Sequence, residues 1–414
     1  MQNMPAIALS HSPSFYERIV LNMLAKMELG RLEVYLPGGN QVSIGNGEGG
    51  IHAEMTVNDP DFFRRCVLYG DVGFGEAYTD GLWDTPSITA VIKWFLLNID
   101  NAPNVSGSQA KTAVLGLLRF FNKLSHLRRA NTLDTARKNI SEHYDLSNEF
   151  FALWLDPTMT YSSAYFEREG MSLEEAQQAK YDRLSRKMKL KPEHHVLEIG
   201  SGWGGNAIHM ARNYGCRVTS ITISEEQQKL ATERVAAAGL SHRVKILLED
   251  YRKLDDQFDR IVSIEMLEAV GAQFYDIYFR QVHRLLKKDG VAAFQVITCP
   301  DSRFEELRRG VDWIQKHIFP GSLLPSVAAM NRAINNTGDL TLVDLKDLGQ
   351  DYARTLAAWC ANFNRVKDKI DALGFDERFR RKWNYYLCYC EAAFAMRNIN
   401  VMQLVYSRPN NLSW

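Results

Sequence analysis

Three glycines and an acid stand where they can do chemistry. In Val196-Leu-Glu-Ile-Gly-Ser-Gly-Trp-Gly-Gly-Asn206 a short apolar run meets Gly200, Gly202 and Gly204. Glycines turn the chain tightly and let a ligand approach with no Cβ in the way. The helix expected after them offers unpaired N–H groups at its N-terminus, suited to an anionic or polar ligand. Glu198 lies inside the turn, an acid badly placed for a pyrophosphate and well placed for a cation. The next strand, Arg217–Ile223, ends without the acid that meets a dinucleotide ribose. A cationic ligand therefore fits better than a dinucleotide, although the glycines alone are equally compatible with a tight strand-to-helix turn.

The elements that must hold this turn alternate. The apolar run 196–199 follows the breaker Pro192, and strands are expected at 217–223, 244–248, 259–264 and 291–298, with helices at 224–238 and 273–286. Such βα alternation predicts an α/β fold, a doubly wound Rossmann-like sheet with its ligand at the carboxyl ends of the strands. Glu174–Leu190 reads as a helix leading into the turn. Leu342–Leu345 and Val401–Tyr406 read as later strands, Tyr352–Phe363 and Glu377–Arg397 as helices. Residues 13–100 look like a smaller α+β unit. A helix spans Phe15–Leu29, and strands Gly30–Leu36 and Gln41–Ile44 form a hairpin around Pro37-Gly-Gly-Asn40. Met55–Val57 is a further strand and a helix starts at Pro60. Gly73–Asp84 reads as a turn of glycines and aromatics, before a helix at Ile88–Ile99.

The chain has 414 residues, with 49 Lys and Arg against 49 Asp and Glu, so no global field draws it to nucleic acid or to an anionic membrane. Its longest apolar runs, such as Trp94–Leu97, fall far short of the roughly 18 residues of a spanning helix. The first residues lack the basic and apolar regions of a signal peptide, and the six cysteines form no Cys-x-x-Cys pair. A reduced, cytoplasmic setting and no metal site are expected. Asn101–Ala110 is linker-like. Val114–Arg129 is amphipathic and basic, with Lys111, Arg119, Lys123, Arg128 and Arg129 near it; it suits an anionic lipid surface or, equally, a core helix with a solvated basic face. The expected division is an N-terminal lipid-binding unit at 1–105, a linker at 106–136 and a catalytic domain at 137–414.

Glu198-x-Gly-x-Gly-x-Gly204 resembles motif I of S-adenosylmethionine-dependent methyltransferases. Further motifs narrow the likeness: His143–Phe151, Leu155–Phe166, Glu175–Lys180, Thr222–Gln227, Asp250-Tyr251, Phe258–Ser263 and Phe319–Pro325. In that order they resemble the cyclopropane-fatty-acid synthase family, which includes the mycolic acid methyltransferases, over about residues 137 to 408. Gly73–Asp84 is similar to the end of the N-terminal domain of the phospholipid-acting members. The resemblance implies that the double bond of an unsaturated phospholipid acyl chain attacks the methyl of S-adenosylmethionine, leaving S-adenosylhomocysteine (SAH). Loss of a proton from the added methyl then closes a cyclopropane.

It also implies a site. Tyr161 and Ser162 close over the methionine part, Gly200 and Gly202 form the cradle, and Glu198 takes the place of the motif I acid. Thr222 and Gln227 resemble ribose-side contacts, Asp250 and Tyr251 the adenine-side pair, and Ile264 belongs to the same cofactor set. In the cyclopropane synthases a bicarbonate is the base, held by a cysteine, a glutamate, a histidine, a tyrosine and a backbone group. Here Glu268, Tyr352 and the backbone of Ile297 match, but Ser163 replaces the cysteine and Gln295 the histidine. Glu265 stands where those relatives carry glycine. Two readings follow: Ser163 and Gln295 still donate to bicarbonate, or the Glu265 carboxylate replaces it, beside Glu268 with split pKa values. A changed base opens a methylene or methyl-branched product beside the cyclopropane, and lost catalysis would leave a lipid- and S-adenosylmethionine-binding protein. Peripheral contact with the cytoplasmic face of the membrane, and a homodimer by resemblance alone, complete the expectation.

Overall fold

A computed structural model describes residues 13–100 and 146–412. The expected linker at 106–136 with its basic helix, the boundary at 137 and the His143 end of the first motif lie outside the described residues. The described chain forms two compact units. One gathers the residues before 101 with Arg309–Ile318 and Asp371–Asn398, and the other takes 146–308, Phe319–Ile370 and Ile399 onward. The division is therefore not the single cut expected from the sequence, because two later segments return to the first unit.

In the first unit, β1 (Arg31–Tyr35), β2 (Gln41–Ile44), β3 (His52–Val57) and β4 (Trp83–Asp84) form a sheet in the order β2-β1-β3-β4. β1 and β2 are the expected antiparallel hairpin, with Leu32 opposite Ile44 and Val34 opposite Val42. Apolar residues alternate inward along β3, as one buried sheet face requires. Gly73–Asp84 departs from expectation, since one helix runs Asp61–Thr79 through Gly73 and Gly75, bent at Gly70. Close packing explains those helical glycines. A Cβ on Gly75 would lie 2.6 Å from the Trp313 ring and 2.7 Å from Tyr385.

The second unit holds a seven-stranded sheet of β5 (His195–Ile199), β6 (Arg217–Thr222), β7 (Val244–Leu248), β8 (Phe258–Ile264), β9 (Leu286–Thr298), β10 (Thr341–Asp347) and β11 (Asn400–Ser407). Its order is β10-β11-β9-β8-β5-β6-β7. β5 to β9 pair in parallel, as the βα alternation predicts. The far edge differs, because β11 runs antiparallel to both β9 and β10. Alternate residues feed two cores: Leu197, Ile261 and Phe294 enter one, Val196, Val262 and Ala293 the other. That is the two-sided burial of a doubly wound sheet. The chain leaves β5 toward β6 and β7, then returns to β8 on the other side of β5. This reversal opens a crevice at the carboxyl ends of β5 and β8.

Candidate active site

The glycine turn follows β5 and is pinned to β6, with the N–H groups of Gly200 and Ser201 donating to Ile221 O at 3.0 and 2.9 Å. Gly200 and Gly202 have φ of 96° and 47°, and a Cβ built on Gly202 meets nothing within 4 Å. The turn thus borders open space that side chains would fill. The helix Gly205–Tyr214 starts directly behind it. Glu198 is buried and faces inward: Asn206 Nδ2 donates to one oxygen at 2.8 Å, and Ser220 Oγ to the other at 2.5 Å. Burial pushes its carboxyl up to about 7, against those two hydrogen bonds and the charge of Lys180. Glu198 therefore ties the turn to β6 as well as lying beneath it. Asn206 Oδ1 is buried without a partner among the described residues, an acceptor left over for a ligand.

Of the remaining expected cofactor residues, Thr222 and Ile264 end β6 and β8, and Asp250 follows β7. Thr222 Oγ1 donates to Gln227 Oε1 at 2.8 Å, so the end of β6 and the following helix Glu225–Ala237 act as one piece. After β7, Asp250 is clasped by Arg252 through Nε at 2.8 Å and Nη2 at 2.7 Å. Burial works against its ionisation, yet that guanidinium holds the carboxyl below its usual range. Tyr251 packs edge-on against Tyr278 with ring centroids 5.1 Å apart. Ile264 ends β8, paired with Gln295 of β9. Tyr161 lies among Phe151, Trp154 and Trp359, with centroids 5.3 to 5.7 Å away. Ser162 is buried, and its Oγ accepts from Lys180 Nζ at 2.7 Å. An open glycine cradle, a leftover acceptor and an aromatic wall fit a cationic, partly aromatic cofactor.

The reaction-centre candidates converge on Glu265. Its Oε1 accepts from Ser163 N and Gln295 Nε2, each at 2.8 Å, and its Oε2 from Tyr352 OH at 3.0 Å. Ser163 contributes its backbone only, since its hydroxyl donates to Ala164 O at 3.0 Å. Glu265 holds φ of 49°, a left-handed conformation natural to glycine and costing another residue about 1 kcal/mol or more. Glu268 sits three residues on, in a short 3-10 turn, and its Oε1 accepts from Ile297 N at 2.5 Å. Its Oε2 is buried with no partner among the described residues. Burial, then the charge of Glu265, push the Glu268 carboxyl up to about 8. Burial also raises Glu265, opposed by Gln295, Lys180, Ser163 and Tyr352. Of the pair, Glu265 has its charged form the better supported, because three donors from Ser163, Gln295 and Tyr352 oppose its desolvation, whereas the charge of Glu265 adds to the desolvation of Glu268.

Ser163, Gln295 and Tyr352, three of the groups expected around a bicarbonate, already donate to Glu265, and the Ile297 N–H donates to Glu268. The residues present do not fit a bicarbonate there.

Sequence reasoning gave Lys180 no role, yet it is fully buried beside Ser162, and its ammonium lies over the Tyr181 ring at 4.6 Å. Burial depresses it to about 7, against the charges of Glu265, Asp156 and Glu198. A signal was available: Lys180 shares a helical stripe with Ala176, Gln177 and Leu184, all buried. Thr355 was missed too; its Oγ1 accepts from Ala164 N at 3.1 Å and fixes the strand of chain beside Ser163.

Comparison with known proteins agrees with this geometry. The model of the mycolic acid cyclopropane synthetase family matches residues 131–404. The cyclopropane-fatty-acyl-phospholipid synthase of Escherichia coli is 41% identical over 362 residues, which span 87% of this chain and 89% of that protein. The tuberculostearic acid methyltransferase of Mycobacterium tuberculosis is 40% identical over 361 residues, 84% of this chain and 82% of that protein. Among solved structures, a cyclopropane synthase from Mycobacterium tuberculosis superposes with a TM-score of 0.61 at 31% identity, over 66% of this chain and 98% of that one. A mycolic acid cyclopropane synthase complexed with SAH and CTAB gives the same TM-score of 0.61 at 34% identity, over 66% of this chain and 98% of that one. With the motifs, the fold and the crevice in agreement, the chain belongs to the mycolic acid cyclopropane synthetase family, a family of S-adenosylmethionine-dependent methyltransferases.

Proposed function

We propose that this enzyme methylates the double bond of an unsaturated phospholipid acyl chain and that the Glu265 carboxylate is the base that completes the reaction. The observation carrying this reading is the set of three donors, Ser163 N–H, Gln295 amide and Tyr352 hydroxyl, that hold Glu265. A carboxylate so held stays anionic in a dry pocket and keeps lone pairs to spare.

Bound S-adenosylmethionine supplies an electrophilic methyl on a cationic sulfur. Gly200, Gly202, Tyr161, Ser162, Thr222, Gln227, Asp250, Tyr251 and Ile264 would hold it, with Glu198 beneath the turn. The alkene π pair forms the new C–C bond to that methyl as the sulfur–methyl bond breaks and S-adenosylhomocysteine leaves, and positive charge is left on the neighbouring carbon of the acyl chain. Glu265 stabilises that charge without reorganising. The aromatic wall of Phe151, Trp154, Tyr161 and Trp359 keeps out the water that would quench it. Glu265 then takes a proton from the added methyl. The C–H electron pair closes the three-membered ring, and the proton ends on the carboxylate. Glu268, protonated, adds no second negative charge, while Lys180 offsets the first. A hydride shift from the methyl-bearing carbon to the cationic neighbour, followed by loss of the methyl proton to Glu265 with the C–H pair left as a C=C bond, gives a methylene chain instead. The 40% identity to a tuberculostearic acid methyltransferase favours keeping that second product in view.

Substrate acyl chains lie in a bilayer, so contact with the cytoplasmic face is read as peripheral; among the described residues no helix is long and apolar enough to cross a membrane. A homodimer rests on family resemblance alone.

The test uses vesicles of unsaturated phospholipid, methyl-deuterated S-adenosylmethionine and mass spectrometry of the lipids. Two deuterons on the added carbon are expected, with fragmentation separating ring from methylene. Glu265→Gln should cut turnover by roughly 100-fold or more, and stripping bicarbonate from the wild-type assay should change nothing. A rate that follows bicarbonate, or an active Gln variant, overturns the assignment of the base. Three retained deuterons would mean an intact methyl branch, and no label in lipid a protein that binds without turnover.

A further inference from the structure

Behind Glu265 a run of buried polar side chains leads out of the pocket. Gln295 Nε2 donates to Glu265 Oε1 at 2.8 Å and to Ser163 O at 3.1 Å, which uses both its hydrogens. Gln295 Oε1 accepts from Gln403 Nε2 at 2.9 Å, and Gln403 Oε1 accepts from Arg183 Nη1 at 2.6 Å. Arg183 Nη2 donates to Asp344 Oδ1 at 2.8 Å, and Lys187 Nζ to the other oxygen at 2.5 Å. Both glutamines are fully buried, whereas the Asp344 side chain is 19% exposed. The run is built into the fold: Gln295 and Gln403 face each other in the β9–β11 ladder, and Arg183 belongs to the helix Leu173–Lys187.

A primary amide fits either way round, and its orientation follows from its partners. A guanidinium has donors only. Gln403 must therefore turn its oxygen to Arg183 and its NH2 to Gln295. Gln295 must then receive that NH2 on its own oxygen, which turns its NH2 to Glu265 and Ser163 O. The reverse setting would press an amide oxygen against a carboxylate and a carbonyl at a fully buried side chain, where an unfavourable polar contact costs most.

We propose that Arg183, acting through Gln403, is a positioning residue that locks the Gln295 amide with its donor on Glu265 and so keeps Glu265 competent as a base. The proposal rests on the reading of Glu265 as the base. Other groups face that carboxylate: Lys180 from the helix Leu173–Lys187, Tyr352 from the helix Gly349–Arg365, Glu268 from the 3-10 turn and the Ser163 N–H. Lys180 shares its helix with Arg183, whereas Gln403 lies on β11, which carries none of these groups.

The deciding variant is Gln403→Glu, which is isosteric. Beside Arg183 it stays ionised, cannot donate, and forces the Gln295 amide to reverse. The acid limb of the kcat profile should move up by roughly one pH unit, with kcat falling below that limb and KM for S-adenosylmethionine unchanged. Arg183→Met should move the limb the same way, and Arg183→Lys, which keeps a donor, should recover most of that shift. Thermal melts of each variant separate folding loss from the pH effect, and a profile can be recorded on any variant that melts cooperatively. Profiles of Gln403→Glu and Arg183→Met that superpose on wild type, with Glu265→Gln dead, would overturn the lock and leave the base assignment standing. An active Glu265→Gln would overturn both.

Discussion

At the scale of single residues, the pocket separates two carboxyls three positions apart into two protonation states. Glu265 collects three donors that favour its charged form, and Glu268 is the one pushed toward holding its proton. Desolvation first, then repulsion by Glu265, carry Glu268 to about 8, far above its ordinary value of 4.5. A carboxyl raised in the folded state contributes stability that is complete below about 4.5 and drains away as pH climbs to about 8. Glu268→Gln removes that dependence while keeping shape and neutrality. The variant should melt near wild type at pH 5 and clearly above it at pH 8, by on the order of a few kcal/mol at most. Melts at the two pH values decide it. A gap that stays constant between them would mean that Glu268 is ionised throughout, and the division of roles with Glu265 would fall. Glu265 itself was legible in the sequence only as an expected departure from the family resemblance. Its φ of 49° is a backbone conformation natural to glycine, which the sequence alone does not reveal.

At the scale of elements, glycines that look alike in sequence carry opposite consequences. Gly202 has φ of 47° and open space where a Cβ would stand, whereas Gly75 is ordinary helix with the Trp313 ring 2.6 Å from that point. Gly202→Ala should lower stability by only about 1 kcal/mol, yet place a methyl in the cradle and weaken S-adenosylmethionine binding at least tenfold. Gly75→Ala should leave that binding alone and destabilise its unit by roughly 1–3 kcal/mol through overpacking. Calorimetric titration beside thermal melts tests both, and an equal loss of binding in the two variants would refute the distinction. The same contrast explains what was legible. β5 to β9 announced themselves because a buried strand needs an apolar run and a turn needs glycine, both local requirements. Gly73–Asp84 was misread because Gly75 answers to Trp313 and Tyr385, more than 200 positions away. Gln403 and Arg183 were invisible for the same reason, since a buried polar run exists only once β9, β11 and the helix Leu173–Lys187 have met.

At the scale of the whole molecule, the first unit is not a detachable N-terminal module. A helix from near the other end of the chain, Glu377–Ala395, packs on its helices Asp61–Thr79 and Ile88–Leu97, and Trp383, Tyr385 and Tyr386 of that helix are buried. Arg381 of that helix donates to Tyr78 O at 2.7 Å, Trp83 O at 2.9 Å and Asp84 Oδ1 at 2.7 Å. Thr89 bonds Glu391 at 2.9 Å, and the Trp313 and Tyr385 rings stand 4.7 Å apart. The shorter cyclopropane synthase from Mycobacterium tuberculosis manages with a chain that matches 66% of this one. The family-matched region, 131–404, therefore looks like the piece to express alone. Here that choice should fail. A fragment of residues 131–414 would keep the crevice and Glu265 but strip the helix Glu377–Ala395 of the helices Asp61–Thr79 and Ile88–Leu97 that cover it, and of Trp83 and Asp84, which Arg381 holds. Several large aromatic side chains would then meet water, at roughly 1.5–3 kcal/mol each, which is a sizeable part of the stability of an ordinary domain. The fragment should aggregate or melt without cooperativity, and adding residues 13–100 as a separate chain should partly restore a sharp melt. Size-exclusion chromatography and melting curves give the answer. A monodisperse, cooperatively folding and active fragment would show that the returning helix is sufficiently covered by other means, and that the two units are separable after all.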